Sequence, residues 1–140
     1  MLELLADNRI AIMTHAPGAA PYPPIQRLRA AGVVLCSGSD GIRDTWGPYG
    51  NADMLERAML LGYRSNFRRD ADVEAALEIV THGGATVMQA IDYGLEVGCR
   101  ADFVVLDGET LVEAVMSRPP RALVVANGRV VARDGVCVID

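Results

Sequence analysis

The chain has 140 residues, the length of one ordinary domain with room for a sizeable aliphatic core. Its formal net charge is −5 and its thirteen basic residues, all arginines, are dispersed, so we expect no nucleic-acid partner, because phosphate binding requires a basic patch. No apolar run reaches the ~18 residues of a membrane span and the N-terminus shows no signal-peptide pattern, so we expect a cytoplasmic protein with no membrane partner.

The first elements form a strand–helix–strand unit. After a helix end at residues 1–8, the short apolar run 9–14 is typical of a buried parallel strand. A proline-rich loop follows, and Pro24 can open a helix over 25–31. The run 33–37 is the next strand. This order predicts a βαβ unit with two adjacent parallel strands.

Two longer helices and one short helix follow. Either Asn51 or Asp53 can cap the first, and either Asp70 or Asp72 can cap the second. The Gly83-Gly84 pair is expected to break the second helix, with a short helix after it.

The pattern changes near Gly98, where we place a boundary between segments 1–98 and 99–140. A helix is predicted over 109–117, and Asn127-Gly128 is a strong hairpin signal. The short β-rich runs of this second segment are 103–106, 122–125 and 129–132.

Asp40 is the strongest candidate for chemistry. It follows an apolar run and the small residues Ser37, Gly38 and Ser39, where the predicted strand ends. The carboxyl ends of parallel strands collect catalytic groups, and an aspartate there can bind a divalent metal or act as a general base. The same residues can also form a turn without chemistry.

Residues 38–55, GSDGIRDTWGPYGNADML, resemble the last barrel strand and following loop of the amidohydrolase superfamily, most of all its cytosine deaminase branch. The similarity covers the chain from about Ile10 onward, and the order of its motifs is more specific than any one of them. The further motifs are THGGA at 81–85, DYGLEVG at 92–98, ADFVVLD at 101–107 and VANGRVV at 125–131.

The resemblance implies an α/β fold, namely the C-terminal part of a (β/α)8 TIM-type metal-dependent hydrolase barrel plus strands of a small β domain. Segment 1–98 would hold the last two βα units with the following helices, and 99–140 the C-terminal β-rich segment. A complete barrel has about 250 residues. In enzymes of this kind the metal is held by an early His-x-His pair, later histidines and the aspartate of the last strand. This chain has only two histidines, His15 and His82, and no His-x-His pair.

The resemblance also implies roles for two side chains, and position suggests a third. Asp40 would bind the metal and, as the catalytic residue, pass a proton from the attacking water to the leaving amine. Trp46 would line the substrate pocket, where its flat ring suits stacking on a heterocycle; the alternative is a loop residue that packs on the barrel rim. His15 is a candidate by position, because it follows the first strand and would lie at the catalytic end of the barrel, where it could contact the substrate or a group that supports the site. The resemblance places no metal ligand there.

Other candidates have simpler interpretations. Asp44 could orient its loop or be solvated, and His82 is expected to be structural. Cys36 lies within a strand as a small buried apolar residue. Ser39 and Gly41 replace a histidine and an aspartate of cytosine deaminases, so the resemblance implies hydrolysis of a ring C–N bond or an amidine more than it implies cytosine itself.

The functional hypothesis is the C-terminal segment of a metal-dependent amidohydrolase that hydrolyses C–N bonds of a small nitrogenous heterocycle, a deamination. Zinc or iron is expected in the complete enzyme and no metal in this chain alone, which lacks most ligands and would be inactive in isolation. Alternatives are a non-catalytic remnant or assembly domain, or one half of a split enzyme. Because two strands cannot close a barrel, we expect a homo-oligomer or pairing with the missing N-terminal part.

Overall fold

The computed structural model describes residues 1–16, 18 and 21–139. They form two compact units, residues 1–89 and 90–140. The assignment of 1–98 to the barrel and of 99–140 to the β-rich segment stays a prediction. The elements are α1 (Leu2–Asp7), β1 (Ile12–Thr14), α2 (Ile25–Ala30), β2 (Leu35–Ser37), α3 (Met54–Arg64), α4 (Asp70–Val80), α5 (His82–Val87), β3 (Phe103–Leu106), α6 (Leu111–Ser117), β4 (Arg121–Ala126), β5 (Arg129–Arg133) and β6 (Val136–Cys137).

β1 and β2 pair in parallel, as predicted, and α2 connects them. Both strands begin later than the apolar runs suggested, because the preceding helices use those residues in their terminal turns. The amide of Ile10 donates to the Leu5 carbonyl, and the amide of Val33 donates to the Leu28 carbonyl. Such six-to-one hydrogen bonds close a helix C-terminus, so neither residue can enter a strand at once.

Helices α3 and α4 pack against each other through small and apolar side chains. Ala58, Leu61 and Ala76 are fully buried. Asp53, not Asn51, caps α3, since one of its carboxylate oxygens accepts from the Leu55 amide at 2.9 Å and from the Glu56 amide at 3.2 Å.

Two expectations for α4 and α5 are wrong. Arg69 occupies the N-cap position of α4, and Asp70 and Asp72 lie in its first turn; Arg69 and Asp72 form an ion pair at 3.2 Å. The helix break falls at Thr81, while Gly83-Gly84 lies inside α5. Gly83 has no side chain, and this allows α5 to lie close to the backbone of β2. Its φ is not positive, so the backbone conformation alone does not require glycine there.

The second unit contains an antiparallel sheet in the order β3-β4-β5-β6. The Asn127-Gly128 turn joins β4 and β5, as predicted, with φ values of 50° and 73° at the two residues, typical of a type I′ hairpin. A second turn at Asp134-Gly135 has φ values of 49° and 77° and introduces β6, which was not predicted. None of the helices in the described part of the chain has the length and apolar character that a bilayer crossing needs.

Candidate active site

The structure places His15 and Asp40 at the same edge of the two-stranded sheet. Thr14, the last residue of β1, is the register partner of Ser37, the last residue of β2. Because the strands are parallel, their carboxyl ends lie side by side. His15 directly follows β1 and Asp40 follows β2 by three residues. This edge is where α/β barrel enzymes carry their chemistry.

Asp40 is exposed, and its carboxylate has no hydrogen-bond or ion-pair partner among the described residues. It does not cap a helix, because the next helix, α3, is capped by Asp53. The backbone of Asp40 has φ 57°, a left-handed conformation that aspartate and asparagine adopt more readily than most residues. Its carboxylate is therefore available for a ligand or a proton.

The loop after Asp40 is ordered by Asp44. One oxygen of its carboxylate accepts from the Trp46 amide at 2.8 Å and from the Gly47 amide at 3.2 Å. A Cβ added to Gly41 would lie 1.8 Å from the other oxygen, so this glycine makes room for the Asp44 side chain. Asp44 thus orders this loop through its carboxylate while it remains exposed to solvent.

Trp46 projects from this loop with 95% of its surface exposed. It therefore does not pack on any rim formed by the described residues. Tyr49, 83% exposed, and Ile42, 44% exposed, share the loop. Contiguous patches of exposed apolar side chains mark sites that contact a ligand or another protein surface, and three such side chains in one loop are candidates for such a patch. Tyr49 was not predicted as a site residue, although it shares the Gly- and Pro-containing loop of Trp46.

The remaining candidates lie away from this edge. His82 begins α5, which contacts Leu35 at the start of β2, and its Nδ1 is 3.4 Å from the Thr81 hydroxyl. Cys36 is buried within β2, and burial raises the pKa of its thiol. A raised thiol pKa leaves little thiolate near neutral pH, so Cys36 is a poor nucleophile.

Arg57 is a residue that the sequence analysis missed. It lies on α3 with 2% of its surface exposed, and its Nη1 donates to the main-chain carbonyl of His15 at 2.6 Å. The sequence offered one signal for it: Arg57 lies next to Ala58 and four residues before Leu61, on the apolar face of the predicted helix, where a charged residue is unexpected.

A catalytic zinc site has about three protein ligands. The described residues contain no group of three or more His, Cys, Asp or Glu side chains that could hold a metal ion. Asp40 offers one free carboxylate of the right chemistry, so these residues do not form a complete metal site by themselves.

Comparisons with known proteins define the class. The profile of the Amidohydrolase family matches residues 1–139. N-isopropylammelide isopropyl amidohydrolase of Pseudomonas sp. (strain ADP) is 33% identical over 138 residues, which cover 98% of this chain and 34% of that protein. The chain belongs to the Amidohydrolase family.

Solved structures agree with this assignment. N-isopropylammelide isopropylaminohydrolase from Burkholderia multivorans ATCC 17616 is 52% identical, with a TM-score of 0.94, over 98% of this chain and 35% of that chain. The 5-methylcytosine deaminase of Klebsiella pneumoniae, liganded with 5-fluorocytosine, is 28% identical with a TM-score of 0.73, over 84% of this chain and 29% of that chain.

A third structure shares the fold and contains a metal. The E241Q mutant of atrazine chlorohydrolase from Arthrobacter aurescens TC1, complexed with zinc and atraton, has a TM-score of 0.74 at 24% identity, over 99% of this chain and 35% of that chain. The resemblance to the deaminase-like amidohydrolases and the predicted fold class, a portion of a TIM-type barrel, are both confirmed. The chain spans about a third of the length of these relatives.

Proposed function

We propose that this chain supplies the Asp40 edge of the active site of an amidohydrolase that cleaves a C–N bond of a nitrogenous heterocycle. The observation that carries the proposal is the Asp40 carboxylate, which has no partner among the described residues and follows the carboxyl end of β2 at the same sheet edge as His15. The 52% identity to the Burkholderia enzyme, which is named for hydrolysis of N-isopropylammelide, supports the choice of substrate class.

The chemistry requires one group that accepts and then returns a proton. Asp40 accepts a proton from a water molecule as the water oxygen bonds to the ring carbon. It then returns that proton to the amine nitrogen, the C–N bond breaks, and the amine leaves while the ring keeps the water oxygen. Trp46 stacks on the flat ring, and His15 donates or accepts a hydrogen bond at a polar ring substituent.

Asp40 is also proposed as one ligand of a divalent metal, zinc or iron, whose other ligands come from outside the described residues of this chain. The zinc in the related chlorohydrolase supports this choice. When bound, such a metal makes water more acidic and polarises the ring C–N unit. We expect no metal in the 140-residue chain alone, and self-association of that chain stays a prediction.

The test is a grafted enzyme, in which this chain replaces the matching third of the Burkholderia multivorans enzyme. We expect it to release isopropylamine from N-isopropylammelide, to lose this activity with a chelator, and to regain it with zinc or iron. The unmodified parent enzyme, prepared in the same way, is the control. A folded graft that binds metal but releases no isopropylamine would instead favour the non-catalytic assembly role.

Replacing Trp46 with alanine in the grafted enzyme is expected to raise KM about tenfold or more and to change kcat less. Stacking of a base on an aromatic ring contributes about 1–3 kcal/mol, and a loss of about 1.4 kcal/mol is tenfold in affinity. Because Trp46 is exposed, the fold should be unaffected. Thr45→Ala, next to it in the same loop, is the control. Equal KM values for wild type and Trp46→Ala would exclude a stacking role.

A further inference from the structure

Helix α3 holds the chain segment that follows β1 at more than one point. Arg57 Nη1 donates to the His15 carbonyl at 2.6 Å. Two turns further along the helix, Arg64 Nη1 donates to the carbonyl of Ala16 and, at 2.9 Å, to that of Gly18. The guanidinium groups of one helix therefore fix three main-chain carbonyls around the candidate substrate-binding histidine.

Tyr22, further along the chain after β1, makes a third contact at the C-terminal end of α3. The Tyr22 hydroxyl is 2.8 Å from the Ser65 hydroxyl and donates to the Leu61 carbonyl at 3.3 Å. The Arg64 guanidinium also lies over the Tyr22 ring, 4.6 Å from its centroid, within the range of a cation–π contact. The attachment therefore extends from Arg57 to the C-terminal end of α3.

Simple packing does not explain why Arg57 is buried. It is 2% exposed, its Nε has no hydrogen-bond partner, and no carboxylate lies within ion-pair distance of it among the described residues. Burying an uncompensated cation is costly, and an apolar side chain of similar volume often packs as well or better. Among the described residues, the His15 carbonyl is the polar group that this side chain contacts.

We propose that Arg57 is a positioning residue that holds the main chain at His15, at the sheet edge that also carries Asp40, and that Arg64 is a second anchor for the residues directly after His15. The functional part of this inference rests on the proposed function, in which His15 contacts the substrate. The geometric part, that Arg57 restrains His15, can be tested in the 140-residue chain without any activity.

The test measures the chemical reactivity of both histidines. Diethylpyrocarbonate acylates accessible imidazole nitrogens, and peptide mass spectrometry separates His15 from His82. With Arg57→Met, we expect the acylation rate of His15 and the deuterium exchange of the Ala16 amide to rise about tenfold, the factor expected for losing a hydrogen bond to a charged group. The rate at His82, on α5, should not change.

Two further variants make the result decisive. Arg69→Met removes an exposed arginine that pairs with Asp72 at 3.2 Å and should change neither histidine. Arg57→Lys keeps the charge and one donor, so it should give an intermediate rate at His15. If Arg57→Met unfolds the chain, both histidines will react faster. Arg57→Lys then tests the proposal, because it should raise the acylation rate of His15 alone. Equal rate changes at His15 and His82, or none at either, in a folded Arg57 variant would overturn the proposal.

The grafted enzyme separates this inference from the proposed function. In an active graft, Arg57→Met should lower kcat/KM at least as much as Trp46→Ala does, and Arg57→Lys should restore part of it. An inactive graft would refute the proposed function while the acylation rates still decide whether Arg57 restrains His15. An active graft with unaltered kcat and KM in Arg57→Met would refute the functional part of the inference alone.

Discussion

Replacing Asp40 with asparagine in the grafted enzyme is expected to reduce turnover by ~10² to 10⁴, the range usually attributed to general acid–base catalysis. Asparagine is nearly isosteric with aspartate but cannot accept a proton at its amide. It also tolerates the left-handed backbone at this position, where φ is 57°, so the loop should keep its conformation. The measurement is the steady-state rate of isopropylamine release at saturating substrate.

Asp107→Asn is the matched control, because Asp107 is also exposed but lies directly after β3 in the second unit. It should leave turnover within about twofold and the free energy of unfolding within about ±0.5 kcal/mol, because it changes an exposed side chain that has no role in the proposed chemistry. Activity of Asp40→Asn within a few-fold of the unmodified graft would show that Asp40 is an ordinary turn residue. Circular dichroism of both variants establishes that any loss is chemical and does not come from unfolding.

The second large effect is on stability, at Gly83. A Cβ at this position would lie 2.0 Å from the carbonyl oxygen of Leu35 and 3.4 Å from the Cα of Cys36. Both atoms belong to the backbone of β2, which cannot move aside as a flexible side chain could. Gly83→Ala is therefore expected to lower the free energy of unfolding by about 3 kcal/mol, the upper part of the range for overpacking. Urea denaturation measures it.

Gly84 provides a control within the same helix. A Cβ added there meets no atom within 4 Å, and its φ is not in the left-handed region. Alanine should raise the free energy of unfolding by about 0.4–1 kcal/mol, because it reduces the entropy of the unfolded chain. If both alanine variants shifted the urea midpoint in the same direction and by similar amounts, α5 would not pack closely on β2.

The local patterns of the sequence predicted the order of elements well. The β1–α2–β2 unit, a cap at Asn51 or Asp53 and the Asn127-Gly128 hairpin were predicted because they depend on short-range chemistry that neighbouring residues encode. The starts of the strands were misplaced because helix-ending turns compete for the same apolar residues. β6 was missed even though Asp134-Gly135 carries the same turn signal as the earlier hairpin.

Long-range contacts were beyond the sequence patterns. The role of Gly83 depends on its approach to Leu35, a residue that lies 48 positions earlier in the chain. The Arg57 side chain reaches the carbonyl of His15 across 42 positions, and no periodicity encodes such a distance. The exposure of Trp46 also depends on tertiary structure, because a single tryptophan in a loop can either be buried against neighbouring elements or project into solvent. The sequence therefore identified candidate residues, but it did not predict the contacts that position them.

The most direct measurement is a crystal structure of the Asp40→Asn grafted enzyme with N-isopropylammelide bound. We expect the introduced amide, standing in for the Asp40 carboxylate, within hydrogen-bond reach of the substrate, about 2.6–3.2 Å directly or through one water molecule. The Trp46 ring should lie against the face of the heterocycle. A substrate bound elsewhere, with both side chains in solvent, would contradict the assignment of this edge as part of the active site.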